Sequence, residues 1–310
     1  MNSNRHPAIQ YGDTVIAYVN PESMKPVEVA AGQTFQNRFG TFHHDDMIGL
    51  RFVHLLEPTP ELWTLVLPHR TQILYQPDIS LISSFLELQP GVNVIEAGTG
   101  SGSFSHSIAR SIAPNGKLFT FEFHEERAAK AKLEFAQHGL SDIIVSQHRD
   151  VCKNGFGIFN SVTAIFLDLP SPWEALENAK AAFDPQRVGR ICCFSPCIEQ
   201  VQRTCETLKA LGFYDIRMFE CLVRPYEVQR IESEKLPLAG PTPKGSHKAF
   251  KRQSAGADAV ASSPSSVLTS KPKESVRGHT SFLTFAVLLP TPPSDGAAPH
   301  PTAASADAAQ

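Results

Sequence analysis

One carboxylate in this sequence stands where an enzyme could use it. Asp168 ends the apolar run Ala164-Ile-Phe-Leu167 and is followed by Leu169-Pro-Ser-Pro172 and then by Trp173. An apolar run of this length predicts a buried strand, and the prolines predict a stiff turn directly after it. A carboxylate at such a turn can accept a hydrogen bond from an amino group of a ligand, or it can cap the helix that follows.

The order Asp168-Leu-Pro-Ser-Pro-Trp173 is a variant, with inserted residues, of the Asn/Asp-Pro-Pro-aromatic motif of methyltransferases that act on a nitrogen of a base. In that motif a side-chain oxygen accepts a hydrogen bond from the amino group of the target. A carboxylate suits the N1 atom of adenine, because N1 already carries a lone pair at neutral pH. Methylation leaves a cation delocalised onto N6, and a carboxylate bonded to the N6 hydrogens stabilises that charge as it develops. A paired adenine must first leave its helix, since N1 lies on the Watson–Crick edge.

A glycine-rich turn is the candidate site for the methyl donor. Gly98, Gly100 and Gly102 follow the apolar run 92–97 in the spacing G-x-G-x-G. This spacing is typical of S-adenosylmethionine (SAM) methyltransferases, whereas dinucleotide enzymes use G-x-G-x-x-G to hold a pyrophosphate. Glu122 ends the next apolar run, 20 residues after Gly102, where a carboxylate can accept both hydroxyls of a ribose. The two features together indicate a SAM site.

Strands and helices that alternate along the chain must position these residues. After an amphipathic helix at 77–88, the pattern predicts strand 92–97, helix 103–113, strand 117–123, helix 125–138, strand 142–146, strand 162–168, helix 173–183, strand 188–194, helix 198–211 and strand 213–223. This alternation predicts an α/β fold with a doubly wound, Rossmann-like and largely parallel sheet. Asp150 follows the third strand, where it can either bind an adenine amino group or lie in an ordinary surface loop.

A different pattern precedes this sheet. Residues 1–10 are predicted to be disordered, and residues 11–67 to form a small β-barrel or sandwich domain with strands at 14–19, 26–29, 34–39 and 62–67. The cluster His43-His-Asp-Asp46 is interpreted as a solvated turn, because adjacent side chains point apart and are poorly placed to share a metal ion. No metal site is expected.

The second domain is predicted to comprise residues 68–230 and 278–289, interrupted by an insertion. The interval 231–277 is rich in Ser, Pro, Ala, Gly and Lys, so it is predicted to be disordered. It is locally basic and is interpreted as a solvated insertion, with an RNA tether or a nuclear-import segment as the alternative. The apolar run 281–289 is expected to pair with 213–223 as an antiparallel edge strand, and residues 290–310 to form a disordered tail.

Overall composition limits the classes of protein to which this chain can belong. The formal net charge is −3, so the chain as a whole lacks the electrostatic footprint of a nucleic-acid binder, and any attraction to RNA must come from local patches or another subunit. No apolar run reaches the length of a membrane span. The six cysteines show neither a C-x-x-C pair nor metal-ligand spacing and are interpreted as reduced thiols of an intracellular protein.

Several long runs together resemble one known family. They are Pro58-Thr-Pro-Glu-Leu-Trp-Thr-Leu65, Leu67-Pro-His-Arg-Thr-Gln-Ile-Leu-Tyr75, Glu96-Ala-Gly-Thr-Gly-Ser-Gly-Ser103, Phe121-Glu-Phe-His124, Phe166-Leu-Asp-Leu-Pro-Ser-Pro-Trp-Glu-Ala175, Phe194-Ser-Pro-Cys-Ile-Glu-Gln-Val-Gln-Arg-Thr-Cys205 and Gly278-His-Thr-Ser-Phe-Leu-Thr-Phe-Ala286. In these runs the chain resembles the catalytic subunits of eukaryotic tRNA (adenine(58)-N(1))-methyltransferases. The resemblance covers most of residues 11–230 and 277–289, whereas the 231–277 insertion is this chain's own.

The resemblance implies an activity, a cofactor and a set of contacts. It implies SAM-dependent methylation of N1 of adenine 58 in tRNA, with Asp168 as the catalytic residue. It implies that the SAM site, including the turn glycines, consists of Leu74, Gly98, Gly100, Ser101, Gly102, Ser103, Glu122, Arg127, Asp150, Val151 and Asp168. It implies a tRNA-facing surface that includes Gln72, Tyr75, Leu169, Pro170, Ser195, Pro196, Gln200 and His279. It further implies a nuclear heterotetramer of two catalytic chains and two copies of a non-catalytic RNA-binding paralogue.

Four other functions compete with this hypothesis, and one of them, oligonucleotide binding without chemistry, would predict exposed stacking aromatics in the N-terminal β domain. A non-catalytic tRNA-binding paralogue on the same fold should have lost the glycine turn and the carboxylate after the fourth strand, and both are intact here. A SAM methyltransferase with another base, a protein or a small molecule as substrate stays open on fold alone, because a fold does not name a substrate. A nicotinamide-dependent enzyme is disfavoured by the G-x-G-x-G spacing.

Overall fold

Seven strands form one mixed sheet. The computed structural model describes residues 8–20, 23–37, 40–49, 55–68, 70–233, 265–272 and 281–291. Across the sheet the strands are β11 (Tyr214–Phe219), β14 (Phe282–Leu288), β10 (Gly189–Ser195), β9 (Ala164–Leu167), β6 (Val94–Ala97), β7 (Leu118–Glu122) and β8 (Ile144–His148). Neighbours from β10 to β8 run parallel, and β14 runs antiparallel to both β10 and β11. The doubly wound sheet and the pairing of 281–289 with 213–223 are confirmed, with β14 one position inside the edge that β11 forms.

Helices bury both faces of this sheet. Ala164 and Phe166 of β9 belong to one hydrophobic cluster, whereas Ile165 and Leu167 belong to another, because successive side chains of a strand point to opposite faces. The first cluster also contains residues of α2 (Gln76–Phe85), α3 (Ser103–Ile112) and α4 (Glu125–Gln137). The second contains residues of α5 (Val151–Asn154), α6 (Pro172–Ala182) and α7 (Ile198–Ala210). Burial on both faces explains why the strands read as continuous apolar runs.

The N-terminal region contains a smaller sheet and a hairpin. Strands β1 (Thr14–Asn20), β2 (Ser23–Glu28) and β5 (Leu55–Leu56) form a three-stranded antiparallel sheet, and β3 (Thr34–Asn37) pairs with β4 (Gly40–His43). Ile9 is fully buried in the core of this region, so the predicted disorder of residues 1–10 is wrong at that position. The 3-10 helix His44–Met47 follows β4. Its His44 is buried and accepts a hydrogen bond from the Ala30 amide, so the turn is not simply solvated.

The predicted strand at 62–67 is wrong, because residues 62–66 lie in a helix. Helix α1 spans Pro60–Val66, and the hydroxyl of Thr59 accepts a hydrogen bond from the Leu62 amide at its start. A threonine cap, a proline in the first turn and Glu61 near the positive end of the helix dipole favour a helix here. Helix α1 packs against α3, with an ion pair between Glu61 and Arg110, so the predicted domain boundary at residue 67 does not separate two independent bodies.

A two-stranded hairpin forms a compact unit of its own within residues 222–279. Strand β12 (Tyr226–Ser233) pairs antiparallel with β13 (Ser265–Pro272). Part of the interval 231–277 is therefore strand, and the prediction of disorder is wrong for those residues. The overall composition of this interval does not reflect its local strand propensity. Val228, Ile231 and Val267 are β-branched residues, which favour extended backbone. The rest of the predicted insertion, His279 and most of the predicted 290–310 tail lie outside the described residues.

Within the described ranges, neither a membrane-spanning helix nor a metal site has a candidate. No described helix is long and apolar enough to cross a membrane. No group of three or more His, Cys, Asp or Glu side chains within those ranges is arranged to hold a metal ion.

Candidate active site

The glycine turn and Asp168 meet at the carboxyl ends of two neighbouring parallel strands. Strand β6 leads into Gly98, and β9 leads into Asp168, whose amide donates to the carbonyl of Ala97 at 2.8 Å. Gly98 has a φ of +95°, and a Cβ added to it would lie 2.2 Å from the carbonyl oxygen of Asp168. Only glycine allows this approach together with this backbone conformation. The fold therefore fixes Asp168 directly beside the turn.

A cavity of about 650 Å³ opens along these strand ends. Its volume lies within the range of about 300–1,000 Å³ that is usual for small-molecule sites. Most of the predicted site residues line it, namely Gln72, Leu74, Gly98, Gly100, Glu122, Arg127, Asp150, Val151, Asp168, Leu169, Pro170, Pro196 and Gln200. Predicted cofactor and substrate residues thus share one continuous space.

Glu122 is a buried carboxylate that is held in its charged form. Burial by itself would raise its pKa, but hydrogen bonds from the His124 amide, the Arg127 guanidinium and the Gly100 amide lower the pKa below its usual value. Three of the four donated bonds, from His124 and Arg127, end on Oε1, and the Gly100 amide donates to Oε2 at 2.9 Å. Since a carboxylate oxygen has two lone pairs, Oε2 keeps capacity for a hydroxyl donor in the cavity.

The pKa of Asp168 is shifted in the opposite direction from that of Glu122. Burial and the nearby charge of Glu122 raise the pKa of its carboxyl to about 7. Its side chain is partly exposed to the cavity and receives no hydrogen bond from the described residues. It does not cap the next helix, because the residue that precedes α6 is Ser171. A carboxyl of this kind is free to bind a donor group that enters the cavity.

Comparison with known proteins assigns the chain to a family. The family described as "tRNA methyltransferase complex GCD14 subunit" matches residues 51–288, which is well over half of the chain. This chain belongs to the GCD14 family. A relative from Dictyostelium discoideum is 41% identical over 313 residues, which cover 93% of this chain and 99% of the relative. One from Cryptococcus neoformans is 39% identical over 359 residues, which cover 91% and 82%. Both carry the name tRNA (adenine(58)-N(1))-methyltransferase catalytic subunit.

Solved structures share the fold of this GCD14-family chain. A SAM-dependent O-methyltransferase from Thermotoga maritima superposes with a TM-score of 0.69 at 24% identity and covers 91% of this chain and 95% of its own. The tRNA (m1A58) methyltransferase TrmI from Aquifex aeolicus gives a TM-score of 0.65 at 21% identity and covers 92% and 100%. At these identities the likeness establishes the architecture alone.

Two predicted cofactor residues of the GCD14-family chain use their side chains to hold the chain itself. The Ser101 hydroxyl accepts hydrogen bonds from the amides of Arg70 and Thr71, at 2.9 and 3.1 Å. The Ser103 hydroxyl donates to the carbonyl of Leu74 at 3.1 Å and contacts the hydroxyl of Thr64. Neither serine lines the main cavity, although both line a smaller space of about 30 Å³ beside it. Their side chains fasten the segment 70–74 across the glycine turn.

Gly102, the last glycine of the turn, does not line the main cavity. Its carbonyl accepts a hydrogen bond from Nδ1 of His106 at 2.6 Å, and the other ring nitrogen of His106 contacts His138 at 2.8 Å. Burial lowers the pKa of His106 to about 3, so the ring is neutral and its Nδ1 carries the donated proton. The last predicted cofactor group, Asp150, lines the cavity and caps α5 by accepting a hydrogen bond from the Lys153 amide.

The predicted tRNA contacts are only partly brought together. Ser195 is fully buried at the end of β10, so its side chain has no exposed surface in this structure, and its contact to tRNA stays a prediction. Tyr75 is partly exposed at the start of α2 but is not part of the cavity wall. Leu169, Pro170 and Pro196 line the cavity on the side of Asp168.

Sequence reasoning missed several residues of this site. Phe194 lines the cavity near the end of β10; it lies within the interval 193–200 for which the resemblance implies a tRNA-facing surface, but it was not singled out. Thr71, Phe123, His124 and Arg149 line the cavity from loops, where local sequence carries no signal of a site. Glu96 was also overlooked. It is buried, accepts hydrogen bonds from the hydroxyls of Ser105 and Thr120 at 2.6 and 2.7 Å, and has its pKa raised to about 7 by burial.

Proposed function

We propose that this chain is a catalytic subunit that methylates N1 of adenine 58 in tRNA with SAM as the methyl donor. One observation carries the proposal: the carboxyl of Asp168 stands beside the glycine turn and faces an open cavity in a chain of the GCD14 family. The relatives that are named catalytic subunits for this reaction match nearly the whole chain. A non-catalytic role would leave both the turn and the available carboxyl without a purpose.

The cavity has the features that SAM requires. Gly98 and Gly100 place bare backbone at the cavity wall, and the Oε2 atom of Glu122 keeps a lone pair for a ribose hydroxyl. Leu74 and Val151 supply apolar surface, and Asp150 supplies a carboxylate for an amino group. When bound, SAM supplies an electrophilic methyl group on its sulfonium. The residues of the chain then have to bind and orient the donor, and to present the base to it.

Asp168 performs the part of the reaction that belongs to the protein. Its carboxylate accepts a hydrogen bond from the N6 amino group of the adenine and so directs the N1 lone pair towards the methyl group. As N1 becomes methylated, positive charge spreads onto N6, and the same hydrogen bond becomes a charge-assisted one. The bond is thus stronger in the transition state than in the ground state, which is the condition for catalysis.

The pH dependence of the reaction tests this role. A protonated carboxyl keeps an acceptor oxygen but loses the charge that strengthens the N6 hydrogen bond, and the pKa of Asp168 is raised to about 7 in the free chain. We expect kcat/KM to fall as the pH decreases through that pKa and to level off at the value of the neutral form, because kcat/KM reports the groups of the free enzyme. In Asp168→Asn the acid limb should vanish from a profile measured with saturating partner subunit. An acid limb that persists in this variant would assign the titration to another group such as Glu96.

Partners and location follow as part of the same proposal. The tRNA is expected to meet Gln72, Tyr75, Leu169, Pro170, Pro196 and His279. The family is described as a subunit of a complex, and a net charge of −3 is compatible with a partner that supplies the basic surface for RNA. We propose a non-catalytic RNA-binding paralogue as that partner, in a heterotetramer of two plus two chains. We also propose that the complex works in the nucleus, which imaging of a tagged chain tests.

Methyl transfer to unmodified tRNA tests the function directly. The chain is co-expressed with the paralogue and supplied with SAM and tRNA transcripts that carry either adenine or guanine at position 58. Formation of 1-methyladenosine in the first transcript and none in the second, read by mass spectrometry after nuclease digestion, is the expected result. Methylation of a different base would replace the proposed substrate, and no methylation by the assembled complex would remove the enzymatic function.

A further inference from the structure

We propose that Gln200 is a positioning residue, whose side-chain amide fastens the loop of Asp168 to the start of α7. The proposal rests on the function proposed above and differs from the tRNA contact that the resemblance implies for this residue. Gln200 lines the cavity on the same side as Leu169 and Pro170. Its polar atoms, however, are engaged with the chain itself.

Both ends of the Gln200 amide have a backbone partner. Nε2 donates to the carbonyl of Pro170 at 3.0 Å, and Oε1 accepts from the amide of Cys197 at 3.1 Å. A backbone carbonyl can only accept and a backbone amide can only donate, so these two partners fix the orientation of the side-chain amide. The bond to Cys197 is a helix cap, since Gln200 is the third residue of α7 and reaches back to the residue before it. The bond to Pro170 is additional, because capping does not need it.

The loop after β9 has few other backbone groups that can form hydrogen bonds to the rest of the chain. Pro170 and Pro172 lack amide hydrogens, so carbonyl oxygens are the main points of attachment. Among the described residues, the Asp168 amide is bound to Ala97 at the start of the loop, and the Ser171 carbonyl is bound to Glu174 at its end. The Pro170 carbonyl lies between these two, and Gln200 is its donor. This bond therefore connects the middle of the loop to the first turn of α7.

The position of this loop matters for the reaction. Asp168 is effective only if its carboxylate is in line with the amino group of the base, and a displacement of about 1 Å in an active site can cost about a hundredfold in rate. Nε2 has a second hydrogen and Oε1 has a second lone pair, so the bonds to Pro170 and Cys197 do not by themselves prevent a contact to RNA. A contact to RNA would contribute to tRNA affinity, whereas a positioning bond contributes to the saturated rate, so the two roles predict different kinetics.

Three variants separate these roles in the complex with its partner subunit. Gln200→Met keeps the length of the side chain and removes both hydrogen bonds. Gln200→Glu keeps an acceptor for the Cys197 amide but cannot donate to Pro170 when ionised. Gln202→Met is the matched control, because Gln202 lies on the exposed face of α7 and bonds only within that helix, to Glu206. Single-turnover methylation at saturating tRNA and SAM is measured for each, together with the Kd of both ligands.

We expect Gln200→Met and Gln200→Glu to lower the saturated rate about tenfold or more, with both Kd values within about twofold of the wild type and Gln202→Met unchanged. An unchanged SAM Kd also shows that the variants are folded. A raised tRNA Kd with a normal saturated rate would overturn the proposal in favour of an RNA contact. A wild-type rate in Gln200→Glu would overturn it as well, because the bond to Pro170 would then be dispensable.

Hydrogen exchange gives a readout that does not depend on methyl transfer. The amides of Asp168 and Glu174, whose hydrogen bonds hold the two ends of the loop, should exchange faster in Gln200→Met than in the wild type or in Gln202→Met. If the wild-type complex failed to methylate tRNA, the proposed function would be wrong. The exchange result would still show whether Gln200 holds the loop of Asp168 in place. Equal exchange in all three proteins would overturn the positioning role.

Discussion

Asp168→Ala is expected to lower the saturated rate of N1 methylation by about 10²–10³-fold, the usual cost of removing one group that stabilises developing charge. The carboxyl stands beside Gly98 and receives no hydrogen bond from the described residues, so its removal leaves the surrounding backbone bonds intact. Affinity for tRNA should stay within about twofold, because the proposed contact strengthens only in the transition state. Single-turnover formation of 1-methyladenosine and filter binding of tRNA measure the two quantities.

Two controls accompany this substitution. Glu177→Ala removes an exposed carboxylate of α6, the helix that follows the Asp168 loop, and should leave the rate unchanged. Asp168→Asn keeps an oxygen acceptor but loses the charge, so its rate should lie between those of the wild type and Asp168→Ala. Near-normal turnover in Asp168→Ala would contradict the proposed role, and the reaction would then need another acceptor for the N6 amino group.

Asp168→Asn should also make the free chain more stable at pH 8. Burial and Glu122 raise the pKa of this carboxyl to about 7, well above its value in an unfolded chain. The ionised form is therefore disfavoured in the folded state, and that cost is present at pH 8 and absent below about pH 4, where the carboxyl is protonated in both states. A function-related carboxyl that opposes stability is the expected sign of an active site.

The parts of the site that local sequence encodes were predictable. A buried parallel strand reads as an apolar run, and the residue that ends it lies at the ligand-binding edge of the sheet. Asp168 and Glu122 each end such a run, and the turn at Gly98 follows another, so the parallel sheet accounts for their common cavity. The sequence does not show directly that β6 and β9 are neighbours, but the usual strand order of this fold predicts it.

The errors arose where the deciding interaction is distant in sequence or depends on capping. The apolar residues 62–67 suggested a strand, but the Thr59 cap and Pro60 decide for a helix that packs on α3. The side chains of Ser101 and Ser103 look available in a glycine-rich turn, yet segment 70–74 uses them. Strand β13 gains its structure from pairing with β12, about forty residues earlier, as in Thr269 opposite Gln229. Composition alone does not contain these contacts.

The second large effect is expected from a substitution at Gly98, where the end of β6 lies in close contact with the end of β9. Gly98→Ala is expected to weaken SAM binding by about a hundredfold or more and to lower methyl transfer with it. The added Cβ would lie 2.2 Å from the Asp168 carbonyl oxygen, so either the turn or the backbone of Asp168 must move. Both form the wall of the cavity, and a shift of either changes the space for the donor and the position of the carboxylate. Calorimetric titration of SAM into the purified complex measures the loss.

Gly91→Ala separates this steric effect from the strain of the backbone. Gly91 has a φ of +89°, close to the +95° of Gly98, but a Cβ added there meets nothing within 4 Å. A residue with a side chain costs about 1–2 kcal/mol in a left-handed conformation, so both variants should lose stability, and Gly98→Ala should lose more because its Cβ also clashes with Asp168. Only Gly98→Ala should lose SAM. Equal SAM affinities of the two variants would contradict the requirement for close contact between the turn and Asp168, whereas a loss confined to Gly98→Ala would show that the absent side chain is what lets the methyl donor and the carboxylate share one cavity.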